Sequence, residues 1–360
     1  MTRLDAPLSL RRGPAFANRL ALAPLTNFQS HDDGTLGDDE YRWIGSRARS
    51  GYGMTMTCAA FVSDNGKGFD GQLGISRDAH VEGLARLASV IRAAGSVSSV
   101  QLQHSGMRAS ARLTGTTPVC AWDDAKTGAR ALATGEVESI VADFVAAAVR
   151  AERAGFQGAE LHGAHGYLIG QFLDADNNHR TDRYGGSPEN RSRMLLEIVD
   201  GVRRSTGPDF QLGVRLSPER WGIRLDEALA LAAKLLVDAR VDYLDMSLWD
   251  CLKPCKDERH LGKPLVELFA ALPRDGTRLG VAGKIMGTAT AQACLDKGVD
   301  FVLIGRGAIL HEDFVGRALS DPAFVTVPRP VTREWLASQH VGPKFVHYLA
   351  TEWPDFVARD

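Results

Sequence analysis

Eight short apolar runs recur along the chain, and between them lie seven segments whose hydrophobic positions return every three to four residues. The runs are RLALAPL (19–25), GMTMTCAAFV (53–62), SVSSVQLQH (96–104), FQGAELHG (156–163), FQLGVRLS (210–217), VDYLDMSL (241–248), RLGVAGKI (278–285) and FVLIGRGAI (301–309). They are mostly apolar rather than alternating, the pattern of parallel strands buried on both faces. The segments at 38–50, 79–95, 136–155, 188–207, 225–240, 264–272 and 288–298 carry helical periodicity. Several start after Ser, Asp or Thr and close on Gly, as capping predicts. Eight alternations of strand and helix over this length predict a (β/α)8 TIM barrel. The barrel is expected over about 18–310, with a helical tail over 311–360, the whole 1–360 forming one domain.

Two stretches break the rhythm. Residues 105–135 are rich in Gly, Thr and Ala, and residues 163–188 are polar with Gly and Pro. Both follow the C-terminal end of a strand, so they read as long βα loops after strands 3 and 4. In a barrel such loops wall the active site.

Composition narrows the partners. Charged residues make up 24%, hydrophobics 44%, and the formal net charge is −2, so no basic excess draws the chain to nucleic acid or an acidic membrane. No apolar run reaches the length of a membrane span, and the first residues lack the apolar stretch of a signal peptide. A cytoplasmic protein with a small-molecule partner is expected, and self-association into a homo-oligomer is compatible with this. Five cysteines scattered at 58, 120, 251, 255 and 294 fit reduced thiols rather than a disulfide framework. Cys251 and Cys255 are closely spaced but lack a second pair at metal-site spacing.

Chemistry should collect at the C-terminal strand ends. Those of strands seven and eight, AGK (282–284) and IGRG (304–307), expose backbone N–H groups where barrels commonly hold a phosphate, and Arg306 adds a bidentate cation. Arg215 ends a buried strand, so its guanidinium points into the mouth and needs either an anionic ligand or a carboxylate on a neighbouring strand. Gln101 offers an amide donor and acceptor. His162 and His165 close strand four, with Tyr167 two residues on. The histidines could chelate a metal, with His104 as the nearby third ligand, or be satisfied by backbone in a loop. They could also donate to a carbonyl oxygen on which charge develops, beside Tyr167 as proton donor.

NRLALAPLTN (18–27), the long block GAELHGAHGYLIGQFLDADNNHRTDRYGGSPENRSRMLLEIVDGVR (158–203), VRLS (214–217) and VLIGRGAIL (302–310) resemble the Old Yellow Enzyme family of FMN-dependent ene-reductases. The resemblance spans essentially the whole barrel, and the 158–203 block is its most specific part. It implies that Pro24, Leu25 and Thr26 run along the flavin, with Thr26 near C4=O, and that Ala59 and Gln101 complete the ring contacts. Arg215 would hold the N1–O2 edge; Gly283, Gly305 and Arg306 would hold the phosphate. His162 and His165 would bind the carbonyl of an activated alkene and Tyr167 would protonate its α-carbon, while NADPH or NADH supplies hydride through flavin N5 to the β-carbon. No metal is implied. Another FMN-barrel chemistry on amines, or a metal-dependent hydrolase, is the alternative.

This chain departs from the family pattern in places. Met107 stands where a basic residue is frequent, with Arg108 following. Thr26 replaces the redox-tuning cysteine of one branch, and Phe28 its substrate-contacting tyrosine. Trp249 is a further candidate substrate wall, or simply packs. No arginine of the tail can be assigned to a neighbouring subunit.

Overall fold

The computed structural model describes residues 2–359. Eight parallel strands close into a barrel: β1 (Leu20–Leu22), β2 (Met54–Phe61), β3 (Val97–Gln103), β4 (Gly158–Gly163), β5 (Gln211–Leu216), β6 (Tyr243–Ser247), β7 (Arg278–Ala282) and β8 (Phe301–Ile304). Each pairs with its sequence neighbours and β8 pairs with β1, so no edge is left open. Around them run α1 (Asp38–Arg49), α2 (Val81–Ala93), α3 (Thr134–Arg153), α4 (Arg193–Ser205), α5 (Leu225–Val237), α6 (Leu265–Ala270), α7 (Thr288–Asp296) and α8 (Arg306–Leu310). α3 buries Val137, Ile140, Phe144, Ala147, Ala148 and Ala151, one stripe at helical spacing, and packs on α4.

Where the apolar runs overstate the strands, local chemistry is the reason. β1 stops at Leu22, two residues before Pro24, which lacks the N–H a ladder needs. β7 stops at Ala282 because Gly283 and Lys284 turn to φ 152° and 49°. The run 301–309 is not one strand: it breaks at Gly305, and its second half is α8. A short apolar run does not distinguish the two by periodicity. The predicted helix 188–207 divides at Ser192, whose hydroxyl donates to the Glu189 carbonyl and competes with the helical ladder. The loop after β3 holds a two-stranded patch, Val119–Cys120 against Arg130–Ala131, and the tail folds into helices at Phe314–Ser320, Arg333–Ser338 and Pro343–Glu352.

The barrel interior is filled at its base by Phe16, Met54, Met56, Tyr243, Phe301 and Leu303. Phe16 comes from an N-terminal segment bridged to Leu8 that closes the bottom, and its ring meets Phe301 edge-on at 5.6 Å. Phe301 meets Tyr243 in the same way at 5.7 Å. Register then sets the upper layers. It aligns Ala59 with Gln101 and Gln101 with Glu160, and, one layer higher, His162 with Arg215 and Arg215 with Asp245. The base is therefore apolar and the mouth polar.

Replacing Phe301 by Ala should remove about 3–5 kcal/mol of stability, the usual cost of deleting a fully buried aromatic ring. Urea denaturation at a fixed FMN concentration measures this; a loss below about 1 kcal/mol would mean that the base does not carry the barrel's packing.

Candidate active site

At the C-terminal rim lies a cavity of about 860 Å³, within the range of small-molecule and cofactor sites. Pro24, Leu25, Thr26, Ala59, Gln101, His162, His165, Tyr167, Arg215, Trp249, Gly283, Gly305 and Arg306 all line it. Phe28 does not: its ring lies against Phe69 at 4.9 Å and Tyr348 at 4.7 Å, and it is Tyr348 that reaches the cavity. Among the described residues eight non-glycine positions have positive φ, and four of them, His165, Trp221, Trp249 and Lys284, are on this wall. Backbone strain is thus concentrated where side chains are aimed inward.

The histidines form a short chain of hydrogen bonds. The Ala164 N–H donates to His162 Nδ1 at 3.3 Å, which assigns the His162 proton to Nε2. That nitrogen faces His165 Nδ1 at 3.3 Å, leaving the His165 proton on Nε2, where it donates to Ser247 Oγ at 2.8 Å. Arg215 Nη2 approaches the same hydroxyl at 3.5 Å. Burial, each other's proximity and the cations Arg215 and Arg108 push His162 well below the usual imidazole range; burial and the cations Arg215, Arg108 and Arg220 do so for His165. Both are neutral donors near pH 7. The Tyr167 ring meets His162 edge-on at 5.0 Å, and burial raises its phenol while Arg108 opposes that rise.

His104 does not join them. It is buried, accepts from the Gly106 N–H at 3.0 Å and contacts Asn65 Oδ1 at 3.2 Å, and burial pushes it down to about 3. Among the described residues no group of three or more His, Cys, Asp or Glu side chains is placed to hold a metal ion. Cys251 and Cys255 face different neighbours. Cys251 Sγ lies 3.3 Å from Cys294 on α7, while the Cys255 thiol donates to the His260 carbonyl at 3.0 Å.

Beneath the cavity floor two carboxylates support its polar residues. Arg215 Nε lies 2.9 Å from Asp245 Oδ2, so the arginine has the neighbouring-strand carboxylate that its burial demands. That approach is an ion pair rather than an aligned hydrogen bond: Nε and both Asp245 oxygens lack hydrogen-bond partners. Gln101 Nε2 donates to Glu160 Oε1 at 2.8 Å. Burial, then the Asp245 charge, pushes Glu160 up to about 8, and burial pushes Asp245 up to about 6 against the pull of Arg215.

The opposite end of the cavity is cationic. Arg306 and Arg329 have no carboxylate within 4 Å among the described residues, and Arg306 lies 5.3 Å from the Trp353 ring and 5.8 Å from that of Trp249. A Cβ built on Gly305 would meet only Leu25 and Ala23 at 3.5 and 3.9 Å, so the space over that backbone is open to a ligand. A Cβ on Gly283 would lie 2.9 Å from the backbone of Trp249 and Asp250, so a side chain there would push the β6 loop away. Open backbone beside two uncompensated guanidiniums fits a phosphate, and Arg215 with Gln101 fits the polar edge of a flavin. Ser247, Trp221, Arg108 and the tail residues Arg329, Tyr348 and Trp353 complete the wall, although the sequence marks none of them strongly. Ser247 was detectable as a strand end; the others depend on where loops and tail fold back.

A barrel with this cavity fits a flavin-dependent oxidoreductase, and comparison with known proteins establishes the class. Residues 4–321 match the model of the NADH:flavin oxidoreductase / NADH oxidase family. The chain belongs to that family, the Old Yellow Enzymes, and is an NAD(P)H-dependent flavin oxidoreductase with FMN as its cofactor. It is 36% identical over 322 residues to the probable NADH-dependent flavin oxidoreductase YqiG of Bacillus subtilis, covering 86% of each chain. It is 32% identical to an NADPH dehydrogenase of the same organism, covering 92% of this chain and 98% of that one. The structure of morphinone reductase in complex with tetrahydroNAD superposes with a TM-score of 0.79 at 30% identity over 98% of both chains. No helix among the described residues is long and apolar enough to cross a membrane.

The buried carboxylates predict a pH effect on stability. Glu160 ionises near its ordinary 4.5 when unfolded but near 8 when folded, so its contribution is complete below pH 4.5 and is lost as pH rises towards 8. Asp245 acts in the same direction. Glu160→Gln retains a partner for Gln101 and should flatten the fall in urea midpoint between pH 5 and pH 8, measured with FMN in equal excess; an unchanged slope would remove Glu160 as its source.

Proposed function

We propose that this protein is an ene-reductase: it reduces alkenes activated by a neighbouring ketone, aldehyde or nitro group, using NAD(P)H. The observation that carries the reading is the neutral His162–His165 pair beside Tyr167 on the cavity wall, with no carboxylate hydrogen-bonded to any of the three. Such a set can donate to an oxygen and deliver one proton. Imidazoles held so far below their usual range are weak general bases for hydrolysis. The likeness to morphinone reductase supports the reading.

FMN, which Thr26, Gln101, Arg215, Gly305 and Arg306 would hold, would supply the hydride chemistry between NAD(P)H and the β-carbon. The chain provides the rest. Each imidazole carries one proton, on Nε2, now committed to its neighbour or to Ser247. A substrate oxygen arriving between the rings exchanges these contacts for its own, so little reorganisation is needed. Because both rings resist protonation, they polarise the oxygen as neutral donors and stabilise the enolate-like charge. Removing such a preorganised donor costs about 3–4 kcal/mol of barrier. Tyr167, kept protonated by burial, hands its proton to the α-carbon, and the Arg108 guanidinium, 4.9 Å from its ring centre, stabilises the phenolate left behind. Arg215 and Gln101 would hold the flavin's polar edge, with Asp245 and Glu160 supporting them from below.

Two experiments test this assignment. Anaerobic NAD(P)H should bleach the flavin and 2-cyclohexenone restore its colour; His162→Ala with His165→Ala should slow that recovery by about 100-fold or more, as the loss of such donors implies. Unchanged recovery would take the carbonyl role from the pair. In stopped flow, Tyr167→Phe should slow re-oxidation by the enone while sparing reduction by NAD(P)H. Equal losses in both steps would contradict its role as proton donor.

A further inference from the structure

The cations of the cavity wall, Arg108, Lys126, Arg215, Lys284, Arg306 and Arg329, are not equivalent, and Lys126 is exposed in the loop after β3. Arg215 is matched by Asp245, and Lys284 by Asp250 at 3.1 Å. Arg306 and Arg329 sit at the phosphate end. Arg108, at the histidine end, has no carboxylate within 4 Å among the described residues, yet it is not a free-swinging surface arginine. Its Nη1 donates to the His165 carbonyl at 2.6 Å, and its guanidinium packs over the Tyr167 ring. Nη1 is engaged, and Nε and Nη2 make no hydrogen bond. The cation is therefore held in place with two donors unspent, beside the groups that bind and protonate the substrate. Of the acidic side chains on the same wall, Asp124 is committed to Thr127 in its own loop and Asp174 to Asp176 and Asn177 in its own, while Glu352, on the last helix of the tail, lies more than 4 Å from the Arg108 guanidinium.

We propose that Arg108 forms an anion subsite at the histidine end of the cavity, so that the alkenes this protein reduces best carry a carboxylate in addition to the activating carbonyl. The inference rests on the ene-reductase reading and names its substrate class. A planar fork with two free N–H groups matches a carboxylate in a way that an ammonium does not, and contact with a charged partner strengthens each hydrogen bond. His165 links the two functions: its backbone carbonyl anchors Arg108, while its side chain faces the substrate oxygen. Carboxylate and carbonyl are thus read from one rigid turn, whose central residue stands at φ 60°. No covalent step is added; the hydride and proton go where they went before.

The test uses a matched pair, (E)-4-oxo-2-pentenoate and its methyl ester, as oxidants of the NAD(P)H-reduced holoenzyme in anaerobic stopped flow. Arg108→Met should lower the acid-to-ester ratio of second-order re-oxidation rates by about 10-fold or more, the scale of one charge-assisted contact, and Arg108→Lys should retain part of the preference. Displacement of Tyr167 or His165 by the substitution would slow both oxidants alike and leave the ratio unchanged, so the ratio separates recognition of charge from support of the site. Spectral titration of the oxidised holoenzyme with the saturated 4-oxopentanoate and its methyl ester gives the same comparison without turnover; Arg108→Met should weaken only the acid. An unchanged acid-to-ester ratio in both measurements overturns the subsite. So does a loss confined to reduction by NAD(P)H, which would assign the guanidinium to the reductant's phosphates. If the wild-type enzyme re-oxidises with neither compound nor with 2-cyclohexenone, the ene-reductase reading itself falls, and this inference with it.

Discussion

A guanidinium buried to 4% exposure at the centre of a barrel mouth is the constraint around which this molecule is organised. Arg215 cannot be there without a counter-charge, and strand register supplies one by setting Asp245 directly beside it on β6. Register also sets His162 on its other side, on β4. The same charge discourages protonation of both histidines and reaches towards the hydroxyl that accepts from His165. One ion pair thus fixes the floor of the cavity, and burial, reinforced by its cation, keeps the histidine donors neutral. It stands on an apolar base, where Phe16, Tyr243 and Phe301 fill the barrel and exclude water from beneath the charges.

Charge is distributed unevenly round the cavity, and the distribution fits the chemistry. Arg306 and Arg329 are left uncompensated beside the open backbone of Gly305, while the buried Arg215 is compensated by Asp245. On the proposed reading the first pair would meet a phosphate and Arg215 a ring edge that is negative only part of the time. Arg108 is intermediate: exposed, anchored on one side and open on the other, as suits a group that meets a ligand only during turnover.

The histidine turn shows how far sequence reasoning reaches. Its position after the fourth apolar run is enough to place His162 and His165 at a strand end, and the resemblance assigns them a role. It does not reveal that the two rings are bonded to each other and to Ser247, because that depends on β6 lying two strands away with its last residue at the same height. Distance also decides the surroundings of Cys251 and Cys255, to which the sequence assigns no partner. Four residues apart in sequence, they face different neighbours, and the thiol nearest Cys251 is on a helix 43 positions along. Phe28 is the third case: its left-handed backbone turns the ring behind Tyr348 rather than into the cavity.

By itself the sequence determined the strand and helix order, the two long loops, the glycine turns after the last two strands and the residues at strand ends, because apolar periodicity and Gly or Pro punctuation act over a few residues. Only the tertiary structure decided which buried charges are paired, which donors are spent, and how the tail brings Arg329, Tyr348 and Trp353 to a rim built some 150 to 300 residues earlier. Those outcomes depend on the closure of the barrel. Closure brings distant residues within a few ångströms of one another, and no local pattern records such distances.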